Sequence, residues 1–273
     1  RGPSIVNSAS VAGVHGTVSA LAYGASKAGV IQLTKSSAVA LGPALATANG
    51  VGERVTFLPG YSTRIELPQR AHLLIEDMRG ASPLFAGRLS ALLDARDRLL
   101  RPDARIIPRR DFLQLTPATA PAALDAGVRS LAEESHGVEL ASVLARVGTG
   151  WRQIRAGDAT PLAPTITWTE IDYAEFASLN VEGTATAVVE TAGRLDGFVS
   201  SFEAELAPGV RYSTAPGAAR MVYDAGWFPL AEPVDVRPGD HVAVRMRAVH
   251  DGVDYIWAWE TTVIAGDGRF AER

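Results

Sequence analysis

The chain has 273 residues, 47% of them hydrophobic, and a formal charge of −4 built from interspersed acids and bases. That length buries roughly three-quarters of the unfolded surface in one large or two ordinary domains, and the mixed charge leaves no basic stripe for nucleic acid. Cysteine is absent, which excludes thiolate catalysis, Cys-ligated metals and disulfides and fits a reducing compartment such as the cytoplasm.

No apolar run reaches the roughly eighteen residues of a membrane span, and no signal peptide is visible. The first residue is Arg1 rather than Met, so the sequence reads as a fragment or a processed product that opens directly into a strand. Ser4 to Asn7 reads as that strand, Ala9 to Gly16 as a small-residue loop, and Ala20 to about Leu45 as one long helix. Tyr23 follows Ser10 by thirteen residues and Lys27 follows Tyr23 by four. Tyr and Lys at that spacing share a helix face, and a nearby ammonium favours the phenolate and lowers the Tyr pKa. This stretch, SIVNSASVAG…YGASKAGVIQLTKSSAVAL, resembles short-chain dehydrogenase/reductases. The resemblance implies a proton relay through Ser10, Tyr23 and Lys27 with NAD(P) as cofactor. The Gly-rich dinucleotide turn of that family has no counterpart here, so residues 1–42 also read as a structural remnant.

Asn49 to Gly52 is a turn cluster, and Arg54 to Leu58 reads as a strand. His72 to Ile75 is a short apolar strand that ends on Glu76 and Asp77. Leu84 to Leu100 repeats apolar residues at helical spacing, Pro102 and Asp103 stop that helix, and Ala104 to Ile107 reads as a strand. A strand ending in a carboxylate before a helix is the usual geometry of an α/β ligand site. The succession RAHLLIEDMRG, LDARDRLLRPDARIIP and the strand after it resembles protein arginine methyltransferases from the third strand of their AdoMet-binding core.

That resemblance, over about residues 46–267, implies S-adenosyl-L-methionine as cofactor, with Gly60, Ser62 and Thr63 near the adenine. It implies a protein or other guanidinium-bearing substrate gripped between two glutamates of one loop, since a planar fork of donors pairs well with carboxylates. Glu76 stands at the first position, and the second falls where the chain has Phe85, Ala86, Gly87 and Arg88. Without the resemblance, Glu76 reads equally as a solvated strand-end acid, and the 60–63 stretch as an ordinary loop. The family's Thr-His-Trp loop aligns with Met221, Val222 and Tyr223. The family's first Gly-rich turn and its ribose-binding acid also lack counterparts. The strand Ile5 to Asn7 is expected to lie beside 55–58 and 72–76, with Gly13 and Gly16 of its loop facing the crevice. Impaired or absent turnover is expected.

Pro117 to Pro121 reads as a linker, and Ala122 to Glu134 and Glu139 to Val147 as helices. From Thr165 onward the pattern is period two, with strands expected over 184–190, 197–206, 234–236, 241–249 and 253–264. Asp251-Gly252 reads as a tight hairpin turn. Tyr255, Trp257 and Trp259 share one strand face and read as core. The five histidines (His15, His72, His136, His241, His250) show no ligand spacing, so no metal is expected.

The expected fold is α/β followed by all-β: a truncated, mostly parallel Rossmann-like sheet over 1–116, a helical connection over 117–163, and an antiparallel β-barrel over 164–273. The expected function is that of an AdoMet-dependent methyltransferase-like protein of the arginine class. The alternatives are an NAD(P)-dependent oxidoreductase and a non-catalytic binding or oligomerisation module. The partner expected beside the substrate is a second copy in a homodimer.

Overall fold

In a computed structural model, the described residues are 43–58, 60–120, 150–266 and 270–272. The chain divides into two compact units, residues 1–66 and 67–273. In the first unit, residues 43–48 are helical, and the Asn49 amide and side chain both donate to the Leu45 carbonyl (3.0 and 2.8 Å) to close that turn. Single 3₁₀ turns follow at Gly52–Arg54 and Ser62–Arg64. The strand expected over 54–58 does not form. Val55, Phe57 and Leu58 are exposed and no described strand pairs with the segment, so β propensity there has no ladder to act on. The expected strand at Ile5 to Asn7 and the helices at 122–134 and 139–147 lie outside the described residues.

The second unit begins with β1 (Ala71–Ile75), followed by α1 (Arg88–Asp94), a π-turn over Ala95–Leu99 and β2 (Leu100–Ile107). β1 and β2 pair in parallel. The helix is shorter than its apolar spacing predicts, and its expected stop at Pro102 and Asp103 lies inside β2 instead. The register jumps from Ala71–Leu100 to Leu73–Arg105. Pro102 therefore sits in an irregular stretch where its missing N–H breaks no ladder bond. Leu89 and Leu92 give α1 its buried face.

The remaining strands are β3 (Arg110–Thr119), β4 (Arg152–Ile154), β5 (Thr160–Pro161), β6 (Ile166–Asp172), β7 (Val181–Val188), β8 (Gly193–Ala207), β9 (Val210–Ser213), β10 (Ala225–Val236), β11 (His241–His250), β12 (Tyr255–Ile264) and β13 (Phe270–Glu272). Seven of them form one sheet in the order β4-β10-β8-β3-β5, with β6 on β3 and β9 on β8; four form a second, β13-β12-β11-β7. The C-terminal part is antiparallel as expected, but its described ladders make two sheets rather than a closed barrel. Parallel pairing among the described residues is confined to β1 and β2.

The expected linker at Pro117 is also strand. Pro117 falls between the end of the β6 ladder at Leu115 and the start of the β5 ladder at Ala118, so its missing donor costs little. In β11, Val242, Val244, Met246 and Ala248 are buried and alternate with Arg245 and Arg247. Trp257 and Trp259 each meet Phe228 with ring centroids 5.0 Å apart, so the aromatic stripe is core, as its spacing predicts. The β11–β12 connection spans residues 251–254: the Asp251 amide donates to the Asp254 carbonyl (3.0 Å) and Gly252 has φ +102.

Gly183 sets the approach of the two sheets. A Cβ at this position in β7 would collide with the backbone carbonyl of Trp168 in β6. Backbone cannot give way as a flexible side chain does, so Gly183→Ala should lower stability by about 1–3 kcal/mol. The shift of the urea unfolding midpoint at unchanged m-value checks this.

A candidate guanidinium-binding site

Glu76 follows β1 directly, and its amide donates to the Ile107 carbonyl at the end of β2 (3.0 Å). The parallel pair thus fixes where the carboxylate starts. Arg88, the first residue of α1, reaches back across the intervening loop to it. Its Nη2 and Nε both donate to the Glu76 carboxylate, the latter at 3.3 Å. Its Nη1 donates to the Tyr173 hydroxyl (2.7 Å) and to the Pro83 carbonyl (3.2 Å). The guanidinium also lies over the Tyr173 ring, 4.6 Å from its centroid. Arg88 is 1% exposed, and Tyr173 and Asp111 are fully buried.

The Tyr173 hydroxyl passes the interaction on by donating to Asp111 Oδ2. Asp111 also lies 3.9 Å from Arg88 Nη1 and 3.1 Å from Arg79 Nη2. Its position is set by β3, where it pairs with Ile171 of β6 on one side and Ala204 of β8 on the other. Its second oxygen, Oδ1, is buried and accepts no hydrogen bond.

Beside this cluster, Arg79 donates to the Tyr212 hydroxyl (2.8 Å) and lies over the Phe202 ring at 5.2 Å. Tyr212 stacks on Tyr223, centroids 6.0 Å apart and planes 13° from parallel. Tyr223 donates to Asp77. The loop expected to correspond to Thr-His-Trp therefore meets the acidic turn after β1 through a tyrosine hydroxyl.

Burial works against the Arg88 charge, but Tyr173, Glu76 and Asp111 more than offset it, and its pKa stands above the ordinary value. Burial pushes the Asp111 carboxyl up, against the pull of Arg79 and Arg88, and pushes the Tyr173 phenol well up, against Arg88. Neutral Tyr173 is therefore held as donor to Asp111 and acceptor from Arg88. Two carboxylates, one hydroxyl and one carbonyl together make a seat for a planar cation, with Arg88 in it.

Of the residues singled out in the sequence, Glu76 lies in this cluster. Gly60, Ser62 and Thr63 lie in the first unit, the last two on its second 3₁₀ turn. Ser10, Tyr23, Lys27, Gly13 and Gly16 lie outside the described residues. Arg79, Asp111, Tyr173 and Tyr212 were not anticipated. One signal for Asp111 was present: it is in phase with Leu113 and Leu115 on the buried face of a period-two strand, an unusual place for a carboxylate.

Linkage gives Asp111 a measurable signature. A carboxyl whose folded pKa is raised binds more protons in the native than in the unfolded state, so stability falls as pH rises from the ordinary value of 3.8 through the raised one. Asp111→Asn cannot titrate. Its thermal midpoint, measured against pH from 3.8 upward, should lack the downward component that the wild type shows in that window.

The short chain dehydrogenase family matches residues 1–53. An arginine N(omega)-methyltransferase of Streptomyces achromogenes subsp. streptozoticus is 23% identical over 73% of this chain, and the chain spans 56% of that relative's length. Among solved structures, the Trypanosoma brucei PRMT1 enzyme–prozyme heterotetrameric complex with AdoHcy superposes with a TM-score of 0.75, at 14% identity, over 85% of this chain and 76% of that one. Arabidopsis thaliana protein arginine methyltransferase 10, in an open conformation, superposes with a TM-score of 0.67, at 15% identity, over 84% and 76%. The chain thus carries a protein arginine methyltransferase-like class I methyltransferase fold over most of its length, with a dehydrogenase-like stretch at residues 1–53.

Proposed function

We propose that the protein is an AdoMet-dependent methyltransferase-like protein of the arginine class that does not turn over substrate in this arrangement. The observation that carries the reading is the buried Glu76–Arg88 pair. The carboxylate that the family resemblance assigns to substrate guanidinium is engaged by the chain's own arginine. The fold supports the class; the dehydrogenase match covers residues 1–53. Gly60, Ser62 and Thr63, with Gly13 and Gly16, remain the proposed cofactor contacts. A cytoplasmic location and self-association as a homodimer belong to the same proposal.

A second reading has its own observation. The dehydrogenase match includes Ser10, Tyr23 and Lys27, which suits an NAD(P)-dependent oxidoreductase. A third draws on the neighbour that pairs an enzyme with a prozyme: a non-catalytic chain of this fold serving as a binding or oligomerisation module. Calorimetric titration with AdoMet and with NADPH separates the three. The expected result is saturable AdoMet binding, no NADPH binding, and no methyl transfer to an arginine-rich peptide. NADPH binding alone would replace the methyltransferase reading by the oxidoreductase, and binding of neither would replace it by the module.

A further inference from the structure

We propose that Arg88 is a displaceable, self-supplied occupant of a guanidinium seat, and that the seat accepts an arginine side chain from a polypeptide when Arg88 withdraws. The identity of that ligand rests on the methyltransferase-class reading; the seat itself rests on geometry. Glu76 takes the Nε and Nη2 side of the guanidinium, while the Tyr173 hydroxyl and the Pro83 carbonyl take Nη1. These acceptors meet four of the five N–H donors of a monosubstituted guanidinium, with the Tyr173 ring as its floor.

The seat also offers more than Arg88 uses. Asp111 Oδ1 is buried and accepts nothing, although Oδ2 is engaged by Tyr173 and Arg79. A structural ion pair closed around its own arginine has no need of a spare buried acceptor. A seat shaped for a guanidinium entering at another angle does.

The approach of Arg88 to the seat is held by a strained turn. Ala86 has φ +42, the left-handed region that a residue with a Cβ seldom adopts. Its amide is fastened by Asp254 Oδ1 (3.0 Å) from the β11–β12 connection. Gly87, between Ala86 and Arg88, is exposed, and no side-chain hydrogen bond caps α1 at that end. Release of the Ala86–Asp254 contact would relax the strained residue and carry Arg88 outward, opening Glu76 to solvent across an exposed glycine. The device is a switch in which intramolecular and external arginines compete for the same acceptors.

The full chain carrying Arg88→Ala provides the test, with N-ethylguanidinium as probe and both calorimetry and thermal unfolding as readouts. The variant should bind the probe saturably and be stabilised by it, at least tenfold more tightly than the wild type. Adding Glu76→Gln should weaken that binding at least tenfold, and ethylammonium should not substitute. A folded Arg88→Ala chain with no saturable binding would overturn the proposal. Arg88→Ser is the second variant should Arg88→Ala not fold. Failure of both to fold, with and without N-ethylguanidinium, would assign Arg88 to the fold alone and overturn it equally. AdoMet titrated into the same samples keeps the two ideas apart. Guanidinium binding without AdoMet binding removes the methyltransferase class and leaves the seat, and the reverse removes the seat alone.

Discussion

A guanidinium taken out of water must be met by carboxylates and hydrogen-bond acceptors, because an unpaired buried charge costs several kcal/mol. In this chain that requirement ties together elements that are distant in sequence. Arg88 at the start of α1 joins Glu76 at the end of β1, Tyr173 beyond β6 and Asp111 in β3. Arg79 extends the network from Asp111 to Tyr212 in β9. The small parallel pair thus rests on the antiparallel sheet through two buried arginines and one central carboxylate. The apolar core fixes the sheets, while the polar network fixes where the loop between β1 and α1 lies.

The same network sets what the site can do. Asp111 faces two cations and a phenol, and burial still keeps its carboxyl pKa high. Tyr173 is held neutral by burial, so it orients charges without supplying one. The site therefore holds the Arg88 guanidinium through acceptors fixed in place. In this structure Glu76 is engaged by the chain's own Arg88.

Much of the architecture was legible in the sequence because period and burial agree there. The alternation Val242, Val244, Met246, Ala248 gives a strand whose buried face is the one observed, and in the stripe Tyr255 is buried while Trp257 and Trp259 are partly buried against the same core. Segments decided by pairing rather than by pattern were not legible. Val55 to Leu58 has strand composition and no ladder, and Pro102 and Pro117 look like breakers yet sit where the ladders skip. Of the site, Glu76 was visible as a strand-end acid before a helix. Its partner Arg88 lies within the stretch where the resemblance places a second glutamate, and only the fold shows that it pairs with Glu76. Tyr173 and Arg79 left no periodic trace, since loop residues are placed by tertiary contacts alone.

A double-mutant cycle on folding stability, with Glu76→Gln, Arg88→Met and both together, measures the interaction on which this account stands. A coupling of about 2–3 kcal/mol between the two sites is the predicted result, as for residues sharing one buried charge network. Losses that add to within about 0.5 kcal/mol would mean that the carboxylate and the guanidinium are not held together in solution.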